Sequence, residues 1–209
     1  MKSRKKNFLI CFIGIDGSGK TTLAKMLVDA MNEKGIKSQY VWRGWRQFES
    51  FLLKPLAHLA KRLRRNFHHT NDLESDMIWE VHNLLYRYLI LVDYLFSSVP
   101  KVSVPLALGR NIVSDRYVYD VIGGPLANHP FMEKVALSLL PKPDLIFLVN
   151  LPEEVAYQRK DDVPSIEYLK KRKAIYLSME KKLKVTTIDG SKKLEELRYI
   201  IVTEAMKLV

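Results

Sequence analysis

The sequence predicts an α/β fold built on a parallel sheet with helices on both faces. Three observations predict it. Short apolar runs rich in β-forming residues recur along the chain, amphipathic stretches separate them, and charged residues gather just beyond the runs. A strand covered on both faces reads as a continuous apolar run, whereas a surface helix repeats its apolar positions every three or four residues.

The elements follow in order. Residues 8–13 are a wholly apolar run and predict the first strand. Over 21–34, Leu23, Met26, Leu27, Ala30 and Met31 take helical spacing, and Gly35 stops the helix. Further strands are predicted at 38–42, 111–114, 145–150 and 184–188, and helices at 48–65, 73–96, 132–140, 152–160, 165–182 and 194–207. Strands that alternate with helices give a parallel sheet, and ligands of such sheets bind beyond the carboxyl ends of the strands.

Bulk properties narrow the class. The 209 residues, 47% hydrophobic and 27% charged, fit one globular domain and exclude disordered and fibrous classes. No repeat, low-complexity segment or Gly/Ser linker divides residues 1–209. The one cysteine, Cys11, excludes an internal disulfide and fits a cytoplasmic setting. The longest apolar stretches, 8–15 and 89–96, fall short of the roughly 20 residues of a spanning helix, so no transmembrane segment is expected. The basic residues before Phe8 read as a short tail. A net charge of +11 favours polyanionic partners, although a solvated lysine-rich surface accounts for it equally well.

The most specific signal is the turn after the first strand. Gly14, Ile15, Asp16, Gly17, Ser18, Gly19, Lys20 and Thr21 match G-x-x-x-x-G-K-[ST] in full. Average composition yields this pattern about once in a hundred chains of such length. Here a buried strand precedes it and an amphipathic helix follows, as phosphate binding requires. Glycines permit positive φ and let backbone N–H groups wrap an anion, while the helix points its positive end at the same charge. Lys20 reaches the β- and γ-phosphates of a nucleoside triphosphate, and the Thr21 hydroxyl is a Mg²⁺ ligand. Residues 14–22 are therefore the candidate ATP site, with Mg²⁺ as cofactor.

Other charged positions fall at strand ends. Asp115 and Arg116 follow the run at 111–114. A carboxylate there serves the Mg²⁺ shell or orients the attacking oxygen, and the arginine suits a two-pronged grip on phosphate. A surface ion pair is the alternative. Arg43 follows the second strand and would face the same crevice, with Gly44 allowing close backbone approach; Trp42 and Trp45 are base-covering or core residues. Arg159 lies in a basic stretch at 158–164, which is either a segment that closes over phosphates or an ordinary helix–helix turn. Lys54, His58, Lys61, Arg62, Arg64 and Arg65 form a basic amphipathic face, a candidate membrane or nucleic-acid contact as well as a plain solvated one. His68 and His69 lack the spacing and partners of a structural zinc site.

Together these residues resemble the thymidylate kinase family of P-loop nucleoside-monophosphate kinases, along most of the chain. Residues 12–22 resemble the family's first strand and phosphate loop, and Asp115-Arg116-Tyr117 its Asp-Arg-Tyr/His motif. The stretches from Pro143 to Ala156 and from Thr187 to Gly190 resemble its later strands. The resemblance implies a three-layer P-loop NTPase fold and a single kinase domain over 1–209, with a short lid near 158–164. It implies ATP-dependent phosphorylation of dTMP to dTDP in nucleotide biosynthesis. Lys20, Asp115, Arg116 and Arg159 would be catalytic; Asp16, Arg43 and Arg116 would bind the acceptor; Thr21 and Asp115 would hold the metal.

The chain departs from the family after Tyr117, where residues 118–125 replace the usual run, and in Arg43-Gly44-Trp45-Arg46. The residues that read thymine have no clear counterpart, and Arg87, Asp93, Tyr94 and Phe96 are the nearby candidates. Two rival functions follow: a P-loop kinase acting on another nucleotide, a nucleoside or a sugar-like alcohol, and a nucleotide-dependent module binding nucleic acid or membrane. Small nucleotides are the expected partners and nucleic acid is not. Apolar positions within 84–96 are candidates for a homodimer face.

Overall fold

The computed structural model describes residues 7–44, 73–180 and 183–209, and for 73–83 the backbone alone. The helix expected over 48–65, the basic face at 54–65, Trp45, Arg46, His68 and His69 lie outside the described residues.

The described elements run β1 (Leu9–Ile13), α1 (Lys20–Glu33), β2 (Ser38–Trp42), α2 (Leu73–Ser98), a π-helical turn (Val99–Ser103), α3 (Val104–Ala107), β3 (Asn111–Asp115), α4 (Val118–Ile122), α5 (Pro130–Leu139), β4 (Leu145–Asn150), α6 (Glu153–Gln158), α7 (Ile166–Glu180), β5 (Thr186–Asp189) and α8 (Leu194–Met206). All strand pairs are parallel, in the order β2-β3-β1-β4-β5. β1 is central, so every one of its residues is buried. Its alternation builds two cores. Leu9, Cys11 and Ile13 meet α2, α5 and α7 through Ile90, Leu91, Tyr94, Ala136, Leu169 and Tyr176. Phe8, Ile10 and Phe12 meet α1 and α8 through Leu23, Leu27, Met31, Leu197 and Ile201. The result is the three-layer arrangement that the sequence predicts.

Strand pairing brings the functional ends into line. Phe12 pairs with Asp115, and Trp42 pairs with the same residue from the other side. The carboxyl ends of β1, β2 and β3 therefore finish together, where the phosphate-type loop begins.

Two differences from the expected elements have physical causes. α4 has five residues, too few to show a period. The helix expected to end at 96 instead runs on as a π turn containing Pro100 and then as α3. A proline at the start of the π segment withholds an N–H that this turn does not need, so the helical path survives it. This longer run also amends the expectation about membrane spans. Leu84–Ala107 is long and apolar enough to cross a bilayer, with a mean hydropathy of 1.4. One face of it, Ile90, Leu91, Tyr94 and Val102, packs into the core and Asp93 is buried, while the other face, with Leu85, Val92 and Phe96, is exposed.

Candidate functional site

The loop between β1 and α1 is shaped by its glycines. Gly17 has φ 78° and Gly19 φ 93°, conformations that other residues rarely adopt. A methyl group on Gly17 would sit 2.2 Å from the Ala156 carbonyl oxygen. The loop tip thus rests directly on α6, the helix that leads to Arg159. Gly17→Ala should lower stability by about 1–3 kcal/mol through strain and displacement of α6, readable by urea unfolding.

Lys20 is 5% exposed, and its ammonium donates to the Ile15 carbonyl at 2.5 Å and to the Ser18 hydroxyl at 3.2 Å. Burial first, and the Arg116 guanidinium second, push its pKa down to about 7 against the pull of Asp16, Asp115 and Asp120. The loop is closed around its own lysine, which holds an unsatisfied appetite for negative charge.

Asp115 stands at the end of β3 with 1% exposure. Its Oδ2 accepts the Thr21 hydroxyl at 2.5 Å and the Tyr40 hydroxyl at 3.1 Å. Its Oδ1 is buried without a hydrogen-bond partner. Arg116 follows with φ 65°, a strained position for a side-chain-bearing residue. Its guanidinium bridges two acids, Nη2 to Asp16 at 2.5 Å and Nη1 to Asp120 at 2.7 Å. Burial opposes its charge, but Asp120, Tyr176 and Asp16 outweigh that and raise its pKa. In turn burial would raise the Asp16 pKa, and Arg116, Lys20 and Lys160 lower it instead. A methyl at Gly44 would lie 2.6 Å from Cδ of Arg116, so this glycine lets the arginine pass.

Asp120 is the hub of a second ring of contacts. Besides Arg116 it accepts Arg172 Nη2 and the Tyr176 hydroxyl, and Arg172 also donates to the Gly123 carbonyl at 2.9 Å. Lys160 reaches Asp16 at 3.4 Å from the segment after α6. Asp16, Lys20, Thr21, Asp115, Arg116 and Arg159 all line one cavity of about 1060 Å³, together with Trp42, Asp120, Lys160, Tyr168, Lys171 and Arg172.

Four expected site residues do not line this cavity: Gly14, Ile15 and Ser18, which are buried in the loop itself, and Arg43. Arg43 is fully buried and is not among the cavity-lining residues. Its backbone N–H donates to the Asp115 carbonyl at 2.8 Å, so its register is as expected. Its Nη2, however, donates to the Tyr94 carbonyl and to the Ser97 and Ser98 hydroxyls, with the guanidinium 4.3 Å from the Tyr94 ring. α2 supplies a ready set of acceptors that a strand-end cation satisfies at once. Base-reading candidates fare likewise: Asp93 and Tyr94 are buried, Phe96 is 66% exposed, and Arg87 donates to the carbonyls of Pro125 and Ala127. None of the four lines the cavity. Sequence reasoning missed Tyr40, Asp120, Arg172 and Tyr176. Arg172 and Tyr176 share a helix face at i, i+4, and nothing in that spacing names a carboxylate as their target.

No family model matches the chain. Curated relatives do. A thymidylate kinase of Caenorhabditis elegans is 30% identical over 158 residues, covering 75% of this chain and 68% of its own length. A thymidylate kinase of Leptospira borgpetersenii is 29% identical, covering 94% of this chain and 92% of itself. A protein of Saccharolobus solfataricus named probable thymidylate kinase 1 is 28% identical and covers 96% of each.

Proposed function

The chain belongs to the thymidylate kinase family, and from that premise we propose that it transfers the γ-phosphoryl group of ATP to dTMP, giving dTDP. The observation that carries the proposal is the sharing of one cavity by the phosphate loop, Lys20, Asp115 and Arg116. Phosphoryl transfer needs little covalent help from protein. It needs two substrates held in line and the negative charge of the moving group offset. Lys20 and the loop amides take the donor phosphates. Arg116 and Asp16 face the acceptor, and Arg159 and Lys160 approach from the segment between α6 and α7, which acts as a short lid on one kinase domain.

Magnesium fits the donor set. Asp115 Oδ1 is a buried carboxylate oxygen without a partner, and the Thr21 hydroxyl lies against the same carboxylate. Mg²⁺ keeps most of its coordination for phosphate oxygens and water, so one hydroxyl and one carboxylate suffice, in keeping with the lack of a three-acid cluster among the described residues. When bound, the ion would offset charge on the β- and γ-phosphates.

The assignment is tested by steady-state rates with ATP, Mg²⁺ and a panel of nucleosides and monophosphates. dTMP should be preferred; equal rates across the panel would overturn it. A protonation measurement tests the donor site separately. A triphosphate beside Lys20 raises a pKa that stands at about 7 in the free protein, so between those values binding takes up protons. ATP binding at pH 8 should absorb close to one proton, declining towards none at pH 6, as read by calorimetry in buffers of differing ionisation enthalpy.

A homodimer belongs to the proposal, supported by a stripe of exposed Leu85, Tyr88, Val92, Phe96 and Val99 along α2 and the turn after it. So does a cytoplasmic location, supported by Cys11, a buried free thiol.

A further inference from the structure

Asp115 holds its two oxygens in opposite conditions. Oδ2 takes two hydroxyl donors, Thr21 from α1 and Tyr40 from β2, while Oδ1 is buried with none. A carboxylate with one oxygen saturated and the other open has a defined aim. Without such anchoring it sits close to Lys20 and Arg116, two cations able to draw it aside. Thr21 is an anchor that bound ligand alters, because its oxygen is also a candidate donor to the metal. Tyr40 is not altered. It comes from a strand whose neighbours Val41 and Trp42 pair directly with Ser114 and Asp115, and it is not among the cavity-lining residues.

We propose that Tyr40 is a positioning residue for phosphotransfer: its hydroxyl fixes the Asp115 carboxylate so that Oδ1 stays free to serve as a donor to Mg²⁺. The inference rests on the ATP–Mg²⁺ reading of the site. Two features fit the role. The Tyr40 ring packs partly against the core formed with α1, leaving the hydroxyl at the sheet end. The Lys25 ammonium lies 5.5 Å from the ring centroid and braces its outer face.

Tyr40→Phe removes the hydroxyl and keeps the ring. Affinity for a non-hydrolysable ATP analogue is measured by calorimetry for both proteins, in excess Mg²⁺ and in EDTA, alongside melting temperature and kinetics. The wild-type protein should bind more tightly with Mg²⁺. In the variant that magnesium-dependent gain should shrink about fivefold to tenfold, the EDTA affinity and the acceptor KM should hold, and kcat should fall by a similar factor. An unchanged magnesium gain in the variant overturns the inference alone. A loss of affinity that is equal in EDTA marks a structural role and overturns it too. A wild-type protein that binds the analogue in neither buffer overturns the functional reading, and this inference with it.

Discussion

Lys20→Met should lower kcat/KM for ATP-driven phosphotransfer by about 10³-fold while leaving the melting temperature unchanged or slightly higher. The two halves of that result come from one fact. Lys20 is 5% exposed and its charge is disfavoured by burial and by Arg116. A buried cation that folding disfavours costs stability in the free protein, and an unbranched apolar side chain of similar length fills its space without that cost. The same charge, placed where phosphate negative charge develops in a dry site, is worth several kcal/mol to the reaction, since removal of one such preorganised group costs about 10²–10³ in rate. The hydrogen bonds lost are small by comparison, because the Ile15 carbonyl still receives the Ser18 N–H at 3.3 Å. Steady-state kinetics and thermal unfolding on one preparation check both halves. Near-normal turnover would remove Lys20 from the mechanism, and a collapsed melting temperature would recast it as a structural residue.

That tension between stability and function bears on what the sequence could reveal. The phosphate loop was legible because its chemistry demands glycines, a lysine and a hydroxyl at fixed spacing, all within eight consecutive residues. β1 to β5 were legible as strands, β2 and β4 with the bounds expected and the others with ends shifted by one or two residues. The carboxylate at the end of β3 was legible because a buried run that stops at Asp-Arg is unusual in itself. The contacts that hold these groups were not. Tyr40 meets Asp115 across 75 residues, and Arg172 meets Asp120 across 52. No periodicity links such pairs; only the β2-β3 register and the seating of α7 against α4 bring them together. Arg43 shows the limit most sharply. Its backbone sits just past β2, as the sequence predicts, yet past the end of a strand the pleat no longer dictates side-chain direction, and the acceptors on α2 decide it.

Arg116→Lys should reduce kcat/KM for the acceptor by about 10²-fold and leave the Kd for ATP within about threefold. The charge is kept, so Asp16 and Asp120 still face a cation, and the latter retains Arg172 and Tyr176. Lost is the fork. The guanidinium spans Asp16 on one side and Asp120 on the other with separate nitrogens, whereas an ammonium is a point charge that serves one partner at a time. A residue held at φ 65° with its backbone N–H bonded to the Phe12 carbonyl has little freedom to compensate by moving. An acceptor phosphate held by a guanidinium that two acids fix in place is set for attack; one held by a mobile ammonium samples many poses, and orientation is where the rate lies. Equilibrium titration with ATP and initial rates against the acceptor separate the effects. A parallel loss of ATP affinity would assign Arg116 to the donor phosphates instead, and would leave Arg159, Lys160, Lys171 and Arg172 as the cavity's remaining cations for the acceptor.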